Sequence, residues 1–196
     1  MPVYAPEVAK LAGPEVLTVG RLVERKGVRY LIEGFALLPQ AMNARLIIAG
    51  GGPLLEELRS FAAARGVAGR VMFTGRISEQ ELIAHYRSAA AYVQPAIIDS
   101  RGDTEMLGVV LLEAMHYGVP VVGSNVGGIP DIIIDNQTGL LVPEKDPQDL
   151  AKAIERIITD QALRATLIEN AHQHLRQHFD WGTIIDRWIT LYNTMY

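Results

Sequence analysis

Two carboxylates, Glu105 and Glu113, stand with seven residues between them in the run Gly102-Asp103-Thr104-Glu105-Met106-Leu107-Gly108-Val109-Val110-Leu111-Leu112-Glu113-Ala114-Met115. The apolar spacing predicts a helix from about Leu107 to Tyr117, stopped by Gly118. Glu105 then lies in the loop before the first turn and Glu113 almost two turns in, roughly 10 Å further along an axis that rises about 1.5 Å per residue. Between them lie first-turn N–H groups that have no partner inside the helix and can take a phosphate. Acceptors for hydroxyls flanking donors for phosphate suit a nucleotide diphosphate sugar. A plainer reading has Glu105 complementing the helix dipole and Glu113 facing water. Against it, Glu113 is embedded among Val109 to Leu112 and Ala114-Met115, where an unpaired charge is costly. The ligand reading is therefore favoured.

Gly20-Arg21 and Lys26-Gly27 form a second candidate. Gly20 permits a tight turn, and the two cations precede a helix whose N-terminus already favours anions. They read as a phosphate clamp or, with Arg25 and Arg29 nearby, as a solvated basic loop; spacing alone does not choose. Gly50-Gly51-Gly52-Pro53 would let a ligand approach the backbone, but it is neither a full G-x-G-x-x-G nor a P-loop. Glycine turns before helices are common, so the structural reading leads there. Gly127-Gly128-Ile129-Pro130 is another glycine turn, open to either role.

These loops need elements to hold them. Short apolar runs at 16–19, 46–49, 71–73, 91–93, 121–122 and 140–142 alternate with amphipathic stretches. Continuous rather than alternating apolar strands are buried on both faces, as in a parallel sheet covered by helices. The expected fold is α/β: a Rossmann-like, doubly wound, mostly parallel six-stranded sheet with helices on both faces. Helices are expected at 27–38, 53–65, 78–87 and, after the sixth strand, on to the C-terminus. Ser78, with Glu81 three residues on, predicts a capping box. Right-handed crossovers put every strand-to-helix loop on one sheet edge, where such folds bind ligands.

Composition narrows the function classes. With 196 residues, 49% of them hydrophobic, the chain can bury a full core and is not disordered. A net charge of −4 gives nucleic acid no global attraction. Zero cysteines exclude disulfides and thiolate metal sites and fit a reducing compartment. No apolar run reaches the ~18 residues a bilayer span needs, and Met1-Pro2-Val3-Tyr4 lacks signal-peptide character. A cytoplasmic location is the expectation. His174 and His178 have i, i+4 spacing, but their polar neighbours Gln173 and Gln177 favour a solvated face over a metal site. A nicotinamide-binding domain would need an acidic residue ending the second strand, where Ala49-Gly50 stands.

Seven motifs in order then carry a resemblance: Val19-Gly20-Arg21 with Lys26-Gly27; Gly50 to Pro53; Phe73-Thr74-Gly75; Glu105 to Met115; Gly118-Val119-Pro120-Val121-Val122; Gly127 to Pro130; and Thr138-Gly139-Leu140-Leu141-Val142. Over about residues 15–195 the chain resembles glycosyltransferase family 4, the group 1 glycosyltransferases, and in particular their C-terminal, donor-binding half of the GT-B fold. Gly-Asp-Thr-Glu before the helix is similar to members that build bacterial exopolysaccharide. The resemblance implies that Arg21 and Lys26 bind the donor diphosphate and stabilise the leaving nucleotide. It implies that Glu105 holds donor-sugar hydroxyls, with backbone amides of Met106, Leu107, Gly108 and Val109 on sugar and phosphate. Glu113 would hold the ribose, Arg76 and Ile77, after Gly75, would line the base pocket, and Gly20 would be among the donor-binding residues. It implies transfer with retention, no cofactor and no metal, with clustered cations stabilising the leaving group.

Two departures from the family pattern bear on donor-sugar identity: Met106-Leu107 precedes Gly108 where Phe or Leu then Gly is usual, and Gly51 stands where an acidic residue is usual. The larger departure is length. The expected organisation is a leading segment at 1–14, a nucleotide-sugar-binding domain at 15–178 and a crossover helix at 179–196, with no N-terminal acceptor domain. Any membrane contact would belong to that domain. The C-terminal helix, with Trp188 and Tyr192, would either pack on its own core or expose an apolar patch. A stand-alone nucleotide-sugar-binding or interaction module is the alternative.

Overall fold

A computed structural model describes residues 13–195; most of the expected leading segment, together with Tyr196, lies outside the described residues. Six strands form one sheet: β1 (Glu15–Val19), β2 (Arg45–Ala49), β3 (Val71–Gly75), β4 (Ala89–Gln94), β5 (Val121–Ser124) and β6 (Leu140–Val142). Their order is β3-β2-β1-β4-β5-β6. All the pairings are parallel, so the expected "mostly parallel" sheet is parallel throughout. The chain winds outward through β1, β2 and β3, then returns to the centre to lay β4 beside β1. The β1–β4 junction is thus the switch point at which ligands bind in such sheets.

The helices are α1 (Val28–Leu37), α2 (Leu55–Ala64), α3 (Glu79–Ser88), α4 (Val109–His116), α5 (Ile129–Ile132), α6 (Pro147–Thr159), α7 (Gln161–His178) and α8 (Trp181–Met195). Successive strand residues point to opposite faces, and two cores follow. Val16, Leu46, Ile48 and Val93 pack with Leu31, Phe35, Leu58 and Ile154 of α1, α2 and α6. Leu17, Ile47, Tyr92 and Val121 pack with Tyr86, Leu111, Met115 and Ile132 of α3, α4 and α5. This is why the strands read as unbroken apolar runs. Ser78 accepts from the Glu81 amide, and the Glu81 carboxylate returns to the Ser78 amide at 2.8 Å, the capping box expected.

Helix starts differ from expectation. α4 begins at Val109 rather than Leu107, because Gly108 takes a left-handed conformation (φ 58°) and serves as its N-cap. Glu113 is therefore the fifth helical residue, a little over one turn in. At the other end α8 does expose its apolar side chains: Trp181 and Trp188 are 76% and 68% accessible. Among the described residues no helix is long and apolar enough to cross a membrane.

Candidate functional site

The site is assembled where the β1 and β4 loops meet. After β1 the chain turns at Gly20 and makes one 3-10 turn, Glu24–Lys26, before α1. That turn swings the Lys26 side chain back over Gly20: a Cβ there would sit 3.3 Å from Lys26 Cε. The β4 loop, residues 95–108, is laced to its neighbours. The Ile97 amide donates to the Arg25 carbonyl at 2.9 Å. The Ile98 amide donates to Glu144 at 2.6 Å, and the Ser100 hydroxyl to Glu24 at 2.7 Å. Asp99 ties the loop to itself by accepting from the Arg101 and Asp103 amides.

The β5 loop supports it from the other side. The Gly128 amide donates to the Glu105 carbonyl at 2.9 Å. A Cβ on Gly127 would fall 2.1 Å from that carbonyl oxygen. Of the two readings of this glycine turn, the structure gives it a packing role: the backbones can approach this closely only where side chains are absent. The same holds after β2, where a Cβ on Gly52 would meet the Leu22 backbone at 2.4 Å, whereas Gly51 faces open space.

Glu105, so held, meets Lys26. The Lys26 ammonium hydrogen-bonds Oε2 of Glu105, and an Arg25 guanidinium nitrogen stands 3.9 Å from the same oxygen. Gln94 Nε2 donates to it as well, at 3.1 Å. Oε1 receives a long contact from the Gly108 amide, 3.4 Å. Burial alone would raise the pKa of this carboxyl. The Lys26 ammonium, the Gly108 amide and Arg25 outweigh it and hold Glu105 below the ordinary carboxylate range. An ammonium has three protons to donate, so Lys26 can serve Glu105 and an incoming anion together.

Around this pair the expected residues divide. Gly20, Arg21 and Arg76 line one open cleft of about 640 Å³ with Gly50 to Pro53. Among the described residues Arg21 and Arg76 carry no ion pair. Met106 and Leu107 are exposed beside Glu105, and the first-turn amides of Val109 and Val110 have no partner within α4 by helix geometry. Ile77 packs against the core of Leu17, Ile47 and Tyr92 rather than lining that cleft. Glu113 is half-buried and is not the unpaired charge its neighbours suggested. It accepts a hydrogen bond from the Tyr86 hydroxyl at 2.9 Å and borders a groove between α4 and α7. Among the described residues no three His, Asp or Glu side chains gather to hold a metal ion.

Three residues at the site escaped the sequence reading. Arg25 was noted only as a neighbour. Tyr92 reads as ordinary strand and Gln94 as the first residue past it, whereas the structure extends the strand through Gln94; Tyr92 donates to Gln94 Oε1 at 2.7 Å and both are buried. Their signal was present: two polar side chains at i and i+2 on the inner end of an apolar strand, where polar groups must find partners.

Cations and a paired carboxylate thus stand at the switch point of a doubly wound α/β domain. The chain matches the family described as Glycosyl transferases group 1 over residues 6–174 and belongs to it. Relatives include the GDP-mannose-dependent alpha-(1-6)-phosphatidylinositol monomannoside mannosyltransferase of Mycobacterium tuberculosis, 38% identical over 91% of this chain and 45% of that protein. The sucrose-phosphate synthase of Thermosynechococcus elongatus superposes with a TM-score of 0.79 at 34% identity, covering 94% of this chain and 46% of that one. Anabaena HepE in complex with UDP-glucose superposes with a TM-score of 0.81 at 26% identity, covering 94% and 50%. The chain spans about half the length of each of these three relatives.

Proposed function

We propose that this chain is the donor-binding half of a retaining glycosyltransferase, which takes a sugar from a nucleoside diphosphate sugar and passes it to a glycan or lipid-linked glycan. The observation that carries the reading is the convergence of Lys26 and Glu105 at the β1–β4 junction, beside Arg21, which has no ion pair among the described residues. In this reading Arg21 and Lys26 neutralise the diphosphate and the charge that grows on it as the glycosidic bond breaks. Glu105 accepts from sugar hydroxyls, and the Met106–Val109 turn supplies amides to sugar and phosphate. Arg76 bounds the base side, with Ile77 behind it after Gly75, and Gly20 leaves room for the donor beside Arg21. Glu113, reached along α4, takes the ribose hydroxyls. The named relatives support the substrate class: one is GDP-mannose-dependent and another is complexed with UDP-glucose.

Transfer itself we assign to a larger, cytoplasmic two-domain enzyme. Coverage of only about half of each relative supports this, as does the exposed apolar face of α8, which fits an acceptor-binding partner domain. Calorimetric titration of the 196-residue chain with UDP-, GDP- and ADP-sugars tests donor binding. One of the three is expected to bind, with Arg21→Ala and Glu113→Ala each weakening it about tenfold or more, as loss of a charge-assisted hydrogen bond would. No binding of any nucleotide would sink the proposal. Turnover by the isolated chain would sink the two-domain assignment alone.

A further inference from the structure

We propose that Tyr92 and Gln94 are positioning residues for the donor sugar, a buried hydroxyl-to-amide chain that decides which oxygen of Glu105 faces the ligand. The inference rests on the reading of Glu105 as the sugar-binding carboxylate. Both residues lie on β4 two positions apart, so their side chains leave the same face of the strand, and they are 0% and 1% exposed. The Tyr92 hydroxyl donates to Gln94 Oε1 at 2.7 Å, and Gln94 Nε2 donates to Glu105 Oε2 at 3.1 Å.

The direction of this chain matters. A glutamine amide has an acceptor end and a donor end. With the phenol proton directed at Oε1, the nitrogen end must point at Glu105. Turned over, the amide would bring its oxygen against a carboxylate oxygen. Burial, joined by the charges of Glu105 and Glu113, keeps the phenol protonated far above its ordinary range. Tyr92 is therefore always a donor, and Gln94 is locked in one orientation. The consequence falls on Glu105. Oε2 is occupied by two fixed donors, the Lys26 ammonium and the Gln94 amide. Oε1 has only the long Gly108 contact and is the oxygen left to accept from a sugar hydroxyl. A phenol and an amide set in a strand merely to satisfy one another would have no reason to end on this carboxylate.

The test compares affinity for UDP with UDP-glucose, and for GDP with GDP-mannose, by calorimetry on the chain carrying Tyr92→Phe, Gln94→Met or Glu105→Gln, with thermal unfolding as a check on folding. Phenylalanine keeps the buried ring, and methionine is close to glutamine in shape. Glu105→Gln is expected to erase the affinity added by the sugar. Tyr92→Phe and Gln94→Met should leave nucleoside diphosphate affinity within about twofold while cutting the sugar's added affinity several-fold, up to about tenfold, Gln94→Met the more. Loss of the sugar increment in Glu105→Gln alone would overturn the positioning role, as would equal loss for UDP and UDP-glucose, since a structural defect weakens both. An increment that survives Glu105→Gln would instead overturn the reading of Glu105 itself.

Discussion

Glu105 is a carboxylate that burial disfavours and three positive or polar neighbours retain. Because its folded-state value lies below its ordinary 4.5, the pairing contributes stability that is complete above that value and is lost as pH falls through the lowered one. Lys26→Met removes the principal partner from a pair whose side chains are 14% and 12% exposed. It should cost about 3 kcal/mol at neutral pH and shrink or reverse Glu105's share of the acid loss of stability, because burial without the lysine raises the folded-state pKa and protonation then relieves the folded state. Thermal midpoints measured from pH 7 down to pH 3 check both. The charged residues of the candidate site were conspicuous in the sequence because they stand among glycines. That Lys26 would meet Glu105 was not, because nothing local to either residue encodes a contact 79 positions away. Tyr92 and Gln94 were hidden for the opposite reason: a polar atom in a buried strand shows its meaning only when its partner is known.

The elements were legible to within a residue or two wherever one period dominated, as in the strands and at the Ser78 cap. The errors gathered where backbone geometry overrides apolar spacing. α4 starts two residues late because the left-handed Gly108 and the Glu105 contact to its amide close a turn first. The glycine turn after β5 illustrates how strictly the loops are fitted. Gly127→Ala would place a methyl 2.1 Å from the Glu105 carbonyl oxygen at φ 58°. It is expected to destabilise the domain by about 1–3 kcal/mol and, since the displaced backbone carries Glu105, to weaken donor-sugar binding too. Chemical denaturation alongside the sugar titration measures the two effects; a variant with normal stability and binding would show that the loop yields freely.

At the scale of the molecule, the α/β class and the double winding were readable from strand–helix alternation, while the strand order awaited coordinates because alternation fixes no neighbour. The C-terminal helix resolves its two options: the apolar face of α8 is outward. Trp188→Ser with Ile189→Ser should lower binding of an apolar dye and leave the thermal midpoint nearly unchanged, since these side chains are 68% and 53% exposed. A large fall in the midpoint would mean that they support the core after all. The switch point also has a temporal side. Lys26 belongs to the half of the sheet translated first and Glu105 to the half translated later. At the ~5–20 residues per second of synthesis, the lysine waits several seconds for its carboxylate. On the proposed donor-binding reading, no nascent chain can hold donor before β4 has docked against β1, so nucleotide sugar would reward only molecules whose two halves have joined, and its presence would shift refolding mixtures toward them.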